Sequence, residues 1–506
     1  MESEVEQENT RYTIVVKKLN SFCKSKLFKD EILKVVRNAS KISFDGYNLL
    51  NLDVLRRIEE GEKLPDYNTT YLFRCLTSIS KKVTSKDSFL DTTFKEHFIP
   101  CISNNYISPY DKNASLTRSE ISRQMLVAVK NHTILNFQTR IRRYISLMYK
   151  IPYKLTRRFI YAAYSEDKPI KEEWIDASRE LKEMFPLAPY ENIVKNNFSE
   201  FVRYSYRILS FIEHLPECTK NARVFSLFPT KQDYVDSHVL LTNSTMQECL
   251  QQILNSRSGS KFLDHKKVSK AIFDENKKDF WYGLFNIAEL ECGSKKFDYK
   301  ISTNGYKVSI FFRVPKILSK ITRESNKLET YERIVGIDPG VSVLFTGRVD
   351  DGTFVSASHK EYRHHSNMNK QKIWAKNLRK RYPEYSSICQ DMPTFKTSSV
   401  DKFKIALKEA YAQFDRLMEF NHRHNHHKWR FKTKVMSEKT LGKLVNRITQ
   451  NKKTYVGIGD WSQADAGVLR GHEPVPVKRL KENLKRASGV TLKEYDEYGT
   501  SQTCCC

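Results

Sequence analysis

No stretch of this chain holds the roughly 18 consecutive apolar residues that a membrane-spanning helix needs. The opening Met1-Glu2-Ser3-Glu4-Val5-Glu6 is acidic where an export signal is basic and then apolar. Cysteines do not come in metal-binding pairs. Cys23, Cys75, Cys101, Cys218, Cys249, Cys292 and Cys389 stand apart and are expected to be reduced core thiols. Only Cys504-Cys505-Cys506 cluster. Negative charge is the remaining shortage: 59 Asp+Glu against 86 Lys+Arg leave +27 over 506 residues. Such an excess calls for a polyanionic partner, nucleic acid foremost, and these absences together predict an intracellular protein outside the membrane. The length allows roughly two to four domains.

What is present centres on Arg333–Gly340. Ile334, Val335 and Ile337 read as a short buried strand, and Pro339-Gly340 stops it just after a lone carboxylate, Asp338. Residues 341–349 alternate as a second strand, Asp350-Asp351-Gly352 is a hairpin turn, and 353–358 form a third strand. An acid ending the first of three antiparallel strands is how an RNase H-type nuclease fold begins. Its use there is to hold hard Mg²⁺ ions against a scissile phosphate. Taken alone, Asp-Pro-Gly is equally ordinary turn chemistry.

Upstream, 11–17 reads as a strand, and 30–37, 49–60 and 121–150 as helices. In the last of these Ile134, Phe137, Ile141, Tyr144, Ile145 and Met148 share a face. Arg140, Arg142 and Arg143 are expected elsewhere around the helix, as phosphate ligands or as a solvated basic face. Segment 186–216 is helical, 225–242 strand-turn-strand, 245–254 helical, and 297–314 a hairpin about Asn304-Gly305. Residues 316–331 read as a charged linker. Downstream come a basic helix at 362–381 carrying Lys376, Arg379 and Lys380, a loop at 386–399, and helices at 402–418 and 428–448. The His-rich stretch 420–427 between those helices lacks the Cys or carboxylate partners of a zinc site and reads as a basic turn. A strand at 455–459 ends at Asp460, a basic helix at 477–486 carries Lys478 and Arg479, and a last strand at 490–495 ends at Asp496-Glu497. The fold class is therefore multidomain α/β: helical and small β parts, then an RNase H-like domain with a mixed five-stranded sheet in the order 3-2-1-4-5. In such a sheet Asp338 and Asp460 lie about 5 Å apart in strand spacing, and Glu497 about 10 Å from Asp338.

The stretches Val335-Gly336-Ile337-Asp338-Pro339-Gly340, Val456-Gly457-Ile458-Gly459-Asp460-Trp461 and Asp496-Glu497-Tyr498-Gly499-Thr500-Ser501-Gln502-Thr503-Cys504 resemble Fanzor. Fanzor is the eukaryotic relative of transposon-encoded TnpB, whose RuvC domain is shared with type V CRISPR nucleases. The resemblance covers the last half of the chain well and the first half vaguely. It implies a Mg²⁺-dependent, RNA-guided DNA endonuclease, monomeric and nuclear, with guide RNA and target DNA as partners. It also implies a β-rich domain at 1–20 and 216–330, a helical recognition domain at 21–215 and a RuvC domain at 331–506. By the resemblance Asp338 is the first acid, Glu497 the second with Asp460 as the alternative, and Cys504 the first ligand of a Zn²⁺ knuckle. The family's third acid and the rest of the knuckle have no counterpart before Cys506. The resemblance therefore leaves a second expectation open, a nucleic-acid-binding remnant that does not cut. A guide-independent nuclease is a third, and it leaves the long N-terminal part without a task.

Overall fold

In the computed structural model the described residues are 10–78, 87–102, 115–165, 170–216, 223–231, 234–255, 268–315, 330–340, 343–460 and 475–495. The chain is α/β, and it divides into two compact units, residues 1–316 with 387–424 and residues 317–386 with 425–506. Residues 387–424, assigned from sequence to the last domain, thus belong with the first unit.

In the first unit β1 (Thr10–Lys18), β2 (Val239–Leu241), β3 (Lys296–Thr303) and β4 (Lys307–Pro315) form an antiparallel sheet in the order β1-β4-β3-β2. The expected strand-turn-strand at 225–242 is reduced to the three residues of β2. The helices include α1 (Lys26–Glu59), α2 (Thr69–Ser78), α3 (Ser115–Met148), α4 (Thr156–Tyr164) and α5 (Phe198–Glu213). α1 starts where the Ser25 hydroxyl accepts a hydrogen bond from the Phe28 amide. It is one helix where the sequence suggests two, because polar residues in its middle such as Ser40 and Asp45 are buried with partners. The Tyr411 hydroxyl donates to Asp45 at 2.7 Å, and Asn51 accepts from the Phe228 amide at 3.2 Å. Gly46 lets Leu76 of α2 approach, since a Cβ there would collide with the Leu76 side chain. A second core joins Phe137, Ile141 and Tyr144 of α3 to Phe159 of α4 and Phe201 and Ile208 of α5, with Phe137 and Phe201 edge to face at 4.7 Å. Met148, expected on this face, is 40% exposed. The helix Val400–Arg423 packs on α1 in the same unit, Phe414 against Phe44 at 4.5 Å. Segment 383–391 is helical rather than a loop.

The second unit is built on β5 (Arg333–Pro339), β6 (Val343–Val349), β7 (Phe354–Ser358), α6 (His359–His365), α7 (Met368–Arg381), α8 (His426–Thr449), β8 (Thr454–Gly459), α9 (Val477–Arg486) and β9 (Val490–Tyr495). Its sheet runs β7-β6-β5-β8-β9, the expected order 3-2-1-4-5, with β5-β6-β7 antiparallel and β8 and β9 parallel to β5. One face is covered. Val335, Ile337, Leu344, Val456 and Ile458 pack with Leu441, Leu444 and Ile448 of α8 and Leu480 and Leu484 of α9. The period of two that buries these residues turns the residues between them to the opposite face. A β-bulge between Val343 and Phe345 buries both Leu344 and Phe345. Arg333 is buried and donates to the Ile448 carbonyl at 2.8 Å, satisfying the end of α8. Glu494 ties β9 to α9 through Lys481 at 2.9 Å and Lys485 at 2.7 Å. No described helix is long and apolar enough to cross a membrane.

Candidate acidic site on the open face of the sheet

Asp338 is the penultimate residue of β5, one step past the pair Ile337–Ile458. Parallel register puts Gly459 beside it, and Thr346 of β6 lies opposite on the other side. Because Ile337 and Ile458 point into the core, Asp338 is in phase with exposed Gly336, half-buried Gly457 and buried Gly459 on the opposite face. Its carboxylate is exposed and makes no ion pair or side-chain hydrogen bond with a described residue. No side chain therefore stands beside Asp338 on the flanking Gly336 and Gly459, of which only Gly336 is exposed.

Asp460 lies one residue beyond β8 and is also exposed. Its amide donates to the Tyr495 carbonyl at 2.8 Å, so the ladder with β9 runs one residue past the strand. The period of two puts Asp460 out of phase with Asp338, on the side of Ile458. The residue in phase and beside Asp338 is Gly459, which carries no donor. Glu497 and Cys504 lie outside the described residues, as does most of the expected linker at 316–331. Among the described residues no group of three His, Cys, Asp or Glu side chains is arranged to hold a metal ion, the His-rich turn included. The chemistry of the donors at the ends of β5 and β8 nonetheless suits a hard divalent cation: carboxylate oxygen, exposed and without a side-chain partner among the described residues.

Beyond the glycines the open face carries an aromatic row that reasoning from sequence missed. Tyr331 and Tyr455 have ring centroids 5.3 Å apart, and the Tyr455 and Tyr495 hydroxyls are 2.6 Å apart. This bond is the first cause that pushes Tyr455 up to about 12. The Tyr495 ring lies over Gly457, where a Cβ would stand 3.1 Å from it. Lys453 sits 5.5 Å over the Tyr331 ring and Lys493 5.1 Å over that of Tyr495. The alternation Tyr455-Val456-Gly457-Ile458-Gly459 held the signal: a tyrosine and two glycines in phase, with the core residues between.

Comparison with known proteins adds little to this geometry. No family model matches the chain, and no curated protein matches it. Among solved structures it is similar to a cryo-EM structure of a Cas12f1–sgRNA–target DNA complex, at 12% identity and a TM-score of 0.27, over 98% of this chain and 91% of that one. A TM-score this low leaves the sheet order and register to carry the argument.

The basic residues expected to meet nucleic acid separate. Lys376, Arg379, Lys380 and Lys478 are exposed. Arg479 is half-committed, donating to Ser437 and paired with Glu438 at 2.7 Å. Arg142 donates to Thr156 at 3.0 Å and lies 4.4 Å over the Tyr153 ring, and Arg143 is partly exposed. Arg140 is a correction. It is 8% exposed, stacked 4.1 Å over Phe225, with Nη2 2.6 Å from His132 Nε2. Burial lowers the Arg140 guanidinium to about 10 and, aided by the Arg140 charge, lowers His132 to about 4. The reason lies in spacing: residue 140 is three after Phe137 and four before Tyr144, on the buried stripe itself. Two cysteines are corrected as well, since Cys292 and Cys389 are exposed while Cys23, Cys75, Cys101 and Cys249 are buried.

Proposed function

We propose that this protein is an RNA-guided DNA endonuclease of the Fanzor and TnpB kind, nuclear and of transposon origin, with guide RNA and target DNA as partners. The observation that supports it is Asp338, an exposed carboxylate without a partner among the described residues, closing the central strand of a 3-2-1-4-5 sheet and bordered by Gly336 and Gly459. In a chain of net charge +27 this carboxylate has no cationic partner among the described residues. That suits a group which meets a metal cation and a phosphate. Asp338 would hold Mg²⁺ together with Glu497, or with Asp460 as the alternative, and the ion when bound would neutralise charge at the scissile phosphate. Exposed Gly336 beside Asp338 leaves room for a nucleic-acid backbone at the strand, and the basic surface of the chain would hold its phosphates.

The test is cleavage of DNA complementary to a bound guide RNA in Mg²⁺. Asp338→Ala should abolish cutting while leaving RNA affinity intact, and that affinity should fall steeply as salt rises. Cleavage by Asp338→Ala at the wild-type rate contradicts the assignment. One observation favours a second reading, nucleic-acid binding without chemistry: Gly459, not an acid, stands in phase beside Asp338. RNA binding with no cleavage under any guide would support it.

A further inference from the structure

α7 has an unusual constitution. Of its 14 residues none is buried, six are cationic (Lys370, Lys372, Lys376, Arg379, Lys380 and Arg381), and none is acidic. A helix with no buried face draws little stability from its own unit, and Ile373 is left 59% exposed. What fastens it is a pair of indoles. Trp374 stacks on Trp429 of α8 with centroids 5.8 Å apart and planes 30° apart, and His426 meets Trp374 edge-on at 4.9 Å. A hydrogen bond of 2.7 Å from Thr433 to Gln371 is the polar clasp beside them. Both indoles remain partly exposed.

The ground around the pair has one sign. The first turns of α8 carry His426, His427, Lys428, Arg430, Lys432 and Lys434 and no acid before Glu438, and Lys432 lies 5.2 Å over the Trp429 ring. The amino end of α8, with its own positive dipole, adds to this field. The contrast with the other described indoles is direct, for Trp174 and Trp281 are 5% and 0% exposed. Partly exposed rings bordered on both helices by cations match an unpaired nucleobase and its flanking phosphates. Base on aromatic face supplies stacking, and Lys and Arg take the backbone. A duplex presents no free base face, and an apolar protein partner would gain nothing from a cationic border.

We propose that the Trp374–Trp429 pair, at the tip formed by α7 and the start of α8, is a base-stacking site for single-stranded nucleic acid. The inference rests on the nucleic-acid partner of the reading above but not on its chemistry, so cutting and stacking stand or fall separately. The test is tryptophan fluorescence of the full chain titrated with short oligothymidylate and oligouridylate, with an abasic strand of equal length, and with a heparin fragment of matched charge. Both base-bearing strands, or one of them if the site prefers DNA or RNA, should quench the emission and bind about tenfold more tightly than the abasic strand. Heparin should bind with little quenching. Trp374→Leu with Trp429→Leu should remove that tenfold advantage and the quenching while heparin affinity is kept. Equal affinity for abasic and base-bearing strands, or quenching by heparin as deep as by oligothymidylate, overturns the proposal. That comparison needs only the wild-type protein, so it holds even where the double variant fails to fold. Cleavage lost in Asp338→Ala with stacking retained would separate the two sites.

Discussion

Two aspartates show how differently this protein uses a carboxylate. Asp53, in the middle of α1, has no exposed surface. It accepts from Arg57 at 2.7 Å, from the Tyr71 hydroxyl at 2.5 Å and from Thr93 at 3.1 Å. Arg57 in turn holds Asp87 at 2.8 Å. Burial pushes the Asp53 carboxyl up, and the charge and hydrogen bonds of Arg57 oppose the rise. Asp338, closing β5, is exposed and has no described partner. A satisfied, buried acid is committed to the fold. An acid held rigidly at a strand end with its oxygens unspent is available for a ligand, and this separates scaffold from site without reference to any relative.

The comparison breaks most sharply in stability. Asp53→Ala leaves Arg57 buried beside the gap and should destabilise the first unit by about 3–5 kcal/mol in urea denaturation. Asp338→Ala should change stability by less than about 0.5 kcal/mol. A similar loss from both would erase the distinction.

Acid supplies the next effect. His132 is held neutral in the fold, with its pKa near 4, below the ordinary 6.5. The unfolded chain therefore binds a proton that the folded one refuses between those values. This stability is complete above about pH 6.5 and falls as pH drops toward 4, by on the order of 2–3 kcal/mol. His132→Gln should flatten that part of the pH–stability curve. Glu213 acts lower down. Burial raises its carboxyl, but the Ser398 amide, the Thr397 and Ser398 hydroxyls and Lys402 outweigh that and lower it to about 2. Its contribution is present above the ordinary carboxylate range and is lost as pH falls toward 2.

Smaller changes sharpen the picture. Gly46→Ala should cost about 1–3 kcal/mol by forcing Leu76 aside, read as a drop in melting temperature. Tyr495→Phe removes the hydroxyl partner of Tyr455 on the open face. It should bring the Tyr455 titration down from about 12 toward 10 in an ultraviolet pH titration, with stability changed by about 1 kcal/mol or less.

The second unit was readable from sequence because its strands declare themselves. Val335 and Ile337, Val456 and Ile458 alternate cleanly, Asp-Pro-Gly stops β5, and Asp350-Asp351-Gly352 turns the chain, so the strand order followed. α1 was not readable as one helix, since the polar residues between 37 and 49 look like a break until Ser40 is seen to donate to the Val36 carbonyl and Tyr411 to Asp45. Arg140 was misplaced for a related reason. Charge was weighed above helical spacing, and the aromatic face of Phe225 that receives it is remote in sequence. The surroundings of Asp338 were not visible, because the place of Gly459 beside it follows from the parallel register of β5 and β8.

The most direct measurement is guide-dependent cleavage of complementary DNA in Mg²⁺ by the wild type and by Asp338→Ala, compared at matched thermal stability and matched RNA affinity. The account predicts cutting by the wild type only. The variant's loss should exceed the roughly 100-fold that losing an outer-shell partner of a metal ligand costs. Equal cutting by both proteins would contradict it, and would move the chemistry away from the end of β5.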